Sequence, residues 1–397
     1  LLPDGRWKIL EEKRVTEREF SYWLCNIEGI GRVTAGRLLK RAGSAQAVYE
    51  MKEQELAGLL SAAQLKSFQR ARKEKNVKQE YQMLLKRGIR FLPVSDPEYP
   101  ARLQEIPDAP QGIYVRGGLP EEGTPSVAVI GARMCSEYGK QAARYFASAL
   151  AAAGVQVVSG LARGIDGISQ EAALDCGGRT YAVLGCGVDV CYPAENGRLF
   201  DRIPARGGIV SEYPPGTLPQ ARLFPPRNRI ISGLSDLILV VEAREKSGTL
   251  ITVDMALEQG REVFAIPGRV TDALSNGCNT LIRQGAGIAI SPSALLEELG
   301  QNCRPQQMEI PSGKRTVSNC PRERNSQENC PMKEKSLKQR VAACLDFTPQ
   351  TPGQLYEKMR KSGCIIPLPI LMQQLLELHM EGAAGQEGGY FFKNGKN

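Results

Sequence analysis

Between residues 126 and 266 the chain repeats one pattern: a short β-branched apolar run, a glycine turn, and then often a helix-length amphipathic stretch. The runs fall at 126–130, 155–158, 181–184, 237–241 and 262–266, with helical stretches such as 140–153 and 252–260 between them. None of the runs alternates strictly between apolar and polar residues. Such runs mark strands buried on both faces, and intervening helices make those strands parallel. The pattern predicts a doubly wound α/β sheet, whose ligands sit beyond the carboxyl ends of the strands where the strand order reverses.

The flanks carry different patterns. Residues 1–88 read as helices with polar faces, and residues 89–300 hold the α/β pattern. Residues 301–333 turn polar and rich in Pro, Asn, Gln and Ser, the composition of a flexible linker. Residues 334–397 show helical stretches at 337–347, 351–362 and 368–381, followed by a Gly-Gly-Tyr-Phe-Phe strand at 388–392. Three helices and a wing outline a winged-helix domain. Its third helix carries Leu, Met, His379 and Glu where a major-groove reader carries basic residues, so protein contact or regulation competes with base reading.

In the first region Gly29 and Gly31 separate two helical patterns, which suits a helix-hairpin-helix or SAM-like unit. Its hairpin either presents backbone N–H groups to a DNA phosphate or packs against its own chain.

Composition narrows the function classes. With 397 residues the chain has room for two or three domains, and a formal charge of +8 suits a polyanionic partner. No apolar run is long enough for a bilayer and the start lacks the order of a signal peptide, so a cytoplasmic protein without a membrane partner is expected. The eleven cysteines form no Cys-x-x-Cys pair, and one histidine completes no zinc set, so reduced thiols and no metal are expected.

The loops after the predicted strands carry the candidate chemistry. Gly131-Ala-Arg-Met-Cys-Ser136 follows the first strand: glycine admits a close anion, Arg133 adds fixed charge and the helix start offers N–H groups. Ser159-Gly160 through Arg163 and Asp166 repeat the theme after the second, with Asp166 read as a helix N-cap. Arg163 either reaches the same anion or braces the loop. Asp189, Tyr192 and Asn196 follow the third strand, either as structural hydrogen-bonders or as contacts.

Next comes Phe224-Pro-Pro-Arg227-Asn228-Arg229, where two guanidiniums beside an amide suit phosphate and base contacts. The two prolines predict an extended, stiff lip. Lys246, Ser247 and Gly248 suggest an anion nest, and Asn279 either joins the rim or caps a helix. A Gly-x-Gly-x-x-Gly loop, a Gly-x-Ser-x-Gly elbow, a Walker loop and a histidine base are all missing, so neither a nicotinamide cofactor nor hydrolytic machinery is expected.

Gly131-Ala-Arg133 with Ser136, Ser159 to Asp166, the Phe224 to Ser235 segment and Glu242-Ala with Ser247-Gly-Thr249 resemble the DNA-processing protein A family, DprA or Smf. The resemblance is dense from about residue 90 to 290. It implies an extended Rossmann-like domain that binds single-stranded DNA, forms a homodimer and loads the RecA recombinase in natural transformation, without a cofactor. By motif, Arg133 would grip phosphate, Phe224 would stack on a base, and Arg227 and Arg229 would line the pocket. One departure is Ser169-Gln170, where relatives often carry Ala-His.

The sheet is also similar to that of nucleoside-monophosphate phosphoribohydrolases. Those enzymes place a glutamate after a Pro-Gly-Gly-x-Gly-Thr loop, where this chain has Thr252 and Val253. That alternative requires Glu242 or Glu258 to substitute.

Overall fold

A computed structural model describes residues 15–300, 337–346, 350–361, 366–387 and 390–393. They form two units, one up to residue 300 and one from residue 337 onward. The stretch expected to be a linker, 301–333, lies outside the described residues.

The first unit begins with helices α1 (Glu17–Cys25), α2 (Arg32–Ala42), α3 (Ala45–Glu50), α4 (Glu53–Ala57), α5 (Ala62–Glu74) and α6 (Val77–Lys86). Thr16 and Glu19 cap α1 reciprocally, each side chain taking the other's backbone N–H. Gly29 turns the chain into α2 at φ +79°, a conformation that suits glycine. Trp23 is fully buried, and its indole N–H donates to the Ala71 carbonyl at 3.2 Å.

The hairpin packs against its own chain. Tyr22 meets the rings of Phe91 and Tyr114, while Asn26 donates to the Tyr114 hydroxyl at 2.7 Å. Gly31, the N-cap of α2, has no side-chain cap and is exposed, so the start of α2 keeps open N–H groups as well.

The sheet contains β1 (Ile89–Pro93), β2 (Gly112–Gly117), β3 (Ser126–Ile130), β4 (Gln156–Ser159), β5 (Thr180–Val183), β6 (Gly208–Ser211), β7 (Leu237–Val240), β8 (Glu262–Ala265) and β9 (Gly287–Ile288). Their order is β1-β2-β6-β5-β4-β3-β7-β8-β9. Strands from β6 through β9 run parallel, while β1 and β2 extend the edge antiparallel. The expected doubly wound sheet is present, and its order reverses between β3 and β7.

Between the strands lie α7 (Glu137–Ala152), α8 (Ile165–Asp175), α9 (Phe224–Gly233), α10 (Gly248–Glu258) and α11 (Asn276–Arg283), and α12 (Pro292–Glu298) follows β9. Alternation along β3 shows how both sheet faces are covered. Val127 and Val129 join a core with Phe146 and Leu150 of α7, whereas Ala128 and Ile130 join one with Ile230, Ile231 and Val253 of α9 and α10. Both cores exclude water from the strands, so the free strand ends become the place for a ligand.

The second unit contains α13 (Leu337–Cys344), α14 (Pro352–Lys361), α15 (Leu368–Met380) and the hairpin of β10 (Ala384–Glu387) with β11 (Tyr390–Lys393). Gln350 bridges to Phe391, adding a third short strand position. Val341, Leu355, Leu371, Leu375 and Phe391 form its core. These are three helices followed by a β hairpin, the elements the sequence pattern predicts here. His379 sits at the end of α15, with Nδ1 3.0 Å from the Ala384 carbonyl oxygen, and so ties helix to wing.

Candidate nucleic-acid interface

A crevice of about 650 Å³ opens at the switch between β3 and β7. The β3–α7 loop, the start of α8, the start of α9 and the β7–α10 loop form its walls. Glycine makes that convergence possible. A Cβ on Gly131 would stand 2.7 Å from Ile165 Cγ1, and one on Gly164, at φ +72°, would run into the Ala132 carbonyl. The two loops are pinned by the Ile165 N–H donating to that same carbonyl at 3.2 Å.

Arg133 and Arg244 are the crevice's open cations. Both are exposed and line it, and among the described residues neither pairs with a carboxylate. Arg133 instead sits 5.6 Å from the centre of the Phe224 ring. Phe224, half-buried, opens α9 and lies against Gly185, where a Cβ would come 2.8 Å from the ring. Asn228 also lines the space, half-buried one turn further on.

Arg227 is the buried cation of the site. Its guanidinium donates to the carbonyls of Gly160, at 2.8 Å, and Val183, while Nε has no partner among the described residues. Burial pushes its pKa down, and Asp166 works against that shift. An arginine nonetheless keeps its proton at neutral pH. Burial pushes the Asp166 carboxyl up, opposed by Arg227 and by the Gly160 N–H donating at 3.1 Å. Asp166 is the single acid lining the crevice, against Arg133, Arg227 and Arg244.

Several sequence expectations change at this level. Residues 224–229 form no extended lip. Pro225 and Pro226 occupy the first turn of α9, where a missing N–H leaves no helical bond unmade. On a helix, residues two apart point to nearly opposite sides. Arg229 therefore faces away from the crevice: its guanidinium grips Glu212 at 2.8 and 2.9 Å and the Asp108 carbonyl at 2.9 Å. Asp166 is not an N-cap, since Gly164 holds that position and Asp166 falls within the first turn of α8.

Other candidates turn inward. Ser159 is fully buried and donates to the Val129 carbonyl at 2.7 Å. Ser136 caps α7, accepting from the Gly139 N–H at 3.1 Å while its own N–H donates to Glu242 at 2.9 Å. Asn279 clamps Gly268 through two hydrogen bonds of 3.1 and 3.2 Å. Arg163, exposed, pairs with Glu195 across neighbouring loops. Asn196 donates to the Leu161 and Ala162 carbonyls at 2.9 and 3.1 Å, and Asp189 accepts from the Gly216 N–H at 2.7 Å. These side chains shape the loops.

Ser247 caps α10 through the Thr249 N–H at 3.1 Å and, with Gly248, lines the crevice. Lys246 is exposed outside the lining, whereas Arg244, which the sequence reading passed over, is inside it. Both cations stand in one post-strand loop, and residue type alone does not choose between them.

Neither acid named for the hydrolase reading faces the crevice. Glu242 is buried against Ser136, and Glu258 is exposed at the far end of α10. Gln170 is buried, accepting from the Leu161 N–H at 3.1 Å and donating to the Tyr181 carbonyl at 3.0 Å. Burial pushes the Cys25 and Cys278 thiols up to about 12 and Cys186 up to about 11, which makes them poor nucleophiles. Among the described residues the cysteines are free, no cluster of three metal-ligating side chains occurs, and no helix is long and apolar enough to cross a membrane.

Comparison with known proteins bears on this geometry. Residues 90–300 match the family model described as DNA recombination-mediator protein A. Protein Smf of Synechocystis is 37% identical over 291 residues, covering 71% of this chain and 73% of that protein. The DNA processing protein DprA of Streptococcus pneumoniae is 46% identical over 205 residues, covering 52% of this chain and 72% of that protein. The X-ray structure of the pneumococcal protein superposes with a TM-score of 0.63 at 35% identity, covering 72% of this chain and 98% of that one.

Proposed function

The chain belongs to the DNA recombination-mediator protein A family, and on that premise we propose that it acts in DNA processing by binding single-stranded DNA in the crevice. The observation that carries this reading is the imbalance of charge: three arginines line the crevice against one buried carboxylate, which already faces Arg227. Arg133 and Arg244 are thereby left to phosphates, with the Gly248 N–H at the α10 start beside them. Phosphate contacts provide affinity without sequence preference, and the neighbouring aromatic rings hold bases through their faces. A duplex hides its base faces, so the single strand is favoured.

In this reading Gly131, Arg133, Phe224, Arg227, Asn228, Ser247 and Gly248 act at the crevice, and Arg244 joins them. Gly160, Ser136, Ser159, Arg163, Asn279 and Arg229 hold the loops that shape it. The protein covers incoming strands in natural transformation, passes them to RecA, and works as a homodimer joined through its α/β domain.

Fluorescence anisotropy with labelled oligo-dT and a matched duplex, across a salt series, tests the binding. The expected result is a salt-sensitive preference for the single strand; equal affinity for duplex overturns the reading. RecA loading is tested by filament assembly on a strand precoated with single-strand-binding protein, where added protein shortens the lag.

A further inference from the structure

Phe224 is the aromatic that the family resemblance points to for base stacking, yet it is the inner member of a pair. Gly185 lies against its ring, and the guanidiniums of Arg133 and Arg227 stand 5.6 and 5.9 Å from its centre. The Tyr192 ring packs on it at 5.5 Å between centres, with planes tilted by 31°. Those neighbours leave Phe224 half-buried.

Tyr192 is in the opposite situation. It lines the same crevice, is 42% exposed, and its hydroxyl has no hydrogen-bond partner among the described residues. A tyrosine that serves packing buries its ring and satisfies its hydroxyl. This one does neither, although its loop is held in place by Asn196 gripping the Leu161 and Ala162 carbonyls. The protein therefore holds a flat apolar surface toward solvent, beside an unpaired arginine.

We infer that Tyr192 is the outer stacking platform of the crevice, with Phe224 as its support. A base lies on the free face of Tyr192, and the adjoining phosphate meets Arg133. The inference rests on the reading of the crevice as a single-strand site. It adds which ring the base touches, and it makes part of the affinity depend on bases, independent of the phosphates.

The test compares wild type, Tyr192→Leu, Tyr192→Phe and Phe224→Leu on two probes of equal length, oligo-dT and an abasic deoxyribose-phosphate oligomer. Wild type is expected to prefer oligo-dT. Tyr192→Leu loses roughly tenfold on oligo-dT, the scale of one lost base–aromatic stack, and keeps wild-type affinity for the abasic strand and an unchanged salt slope. Tyr192→Phe retains the ring and the preference. Phe224→Leu loses less than Tyr192→Leu.

A strand carrying 2-aminopurine gives an independent signal: its fluorescence is quenched by wild type and by Tyr192→Phe, and not by Tyr192→Leu. Tyr192→Leu binding oligo-dT as wild type does overturns the inference, as does an equal loss on both probes or a larger loss for Phe224→Leu. In each of those cases wild type still binds the single strand, so the crevice reading stands. A wild type that binds neither probe overturns the crevice reading and this inference with it.

Discussion

The crevice and the seam between the helical hairpin and the sheet edge are both rich in arginine, and they use it in opposite ways. Along the seam each arginine meets an acid: Arg18 reaches Asp96 at 2.6 Å, Arg90 reaches Glu98 at 2.7 Å, Arg32 pairs with Asp108, and Arg229 pairs with Glu212 at 2.8 Å. In the crevice Arg133 and Arg244 meet none. An arginine with its carboxylate is already neutralised and acts as a fastener. One without a carboxylate keeps its field for a ligand.

The sharpest way to break that contrast is Arg229→Ala. It strands the Glu212 carboxylate, whose side chain is 13% exposed, without its bidentate partner. Removing one member of a buried pair costs about 3–5 kcal/mol, read as a lowered urea midpoint. The double variant Arg229→Ala with Glu212→Gln should recover part of that loss. A single variant as stable as wild type would mean that the seam arginine is no fastener.

The crevice side predicts the reverse behaviour. Arg133→Ala and Arg244→Ala should each stay within about 0.5 kcal/mol of wild-type stability, because neither side chain is paired. Each should weaken oligo-dT binding and reduce the slope of log affinity against log salt by about one. Lys246→Ala, outside the lining, should change that slope less. An Arg244→Ala variant with an unchanged slope would remove this residue from the site.

The smallest expected effect concerns the acid behind Arg227. The folded pKa of Asp166 lies above its unfolded value because burial disfavours the carboxylate. Below the unfolded range both states hold the proton and Asp166 is neutral to stability. As pH rises the unfolded chain releases its proton first, so the native state loses relative stability until Asp166 ionises as well. Asp166→Asn removes that dependence. Urea unfolding from about pH 4 to about pH 7 should show the stability difference moving toward the variant as pH rises. A flat difference would show that Arg227 fully offsets the burial.

Much of the scaffold was legible. The five apolar runs correspond to β3, β4, β5, β7 and β8 with ends shifted by at most one residue, because strands buried on both faces leave an unmistakable β-branched signature. The edge was not legible. β1 ends in Pro93 and carries Arg90, and β6 has four residues beginning with glycine, so neither stands out from the loops around it. Their identity as strands depends on pairing: β1 with β2, and β6 with β2 and β5.

The site was half legible. Glycines pressed between backbones, such as Gly131 and Gly164, follow from strand-to-turn-to-helix spacing, and the cationic character of the strand ends is written in their residue types. The Phe-Pro-Pro segment misled, because a proline pair is compatible with an extended chain and with the first turn of a helix. The neighbours of α9 select the helix.

By itself the sequence determined the parallel α/β core, the place of the crevice at its strand ends and the sign of the charge there, since periodicity and residue type are local properties. Only the tertiary structure decided which arginines remain available and which ring faces outward. Those outcomes depend on partners distant in sequence: Glu212 lies 17 residues from Arg229, and Asp108 lies 121. Whether a charge serves the fold or a ligand is a question of what the folded chain brings within about 4 Å of it.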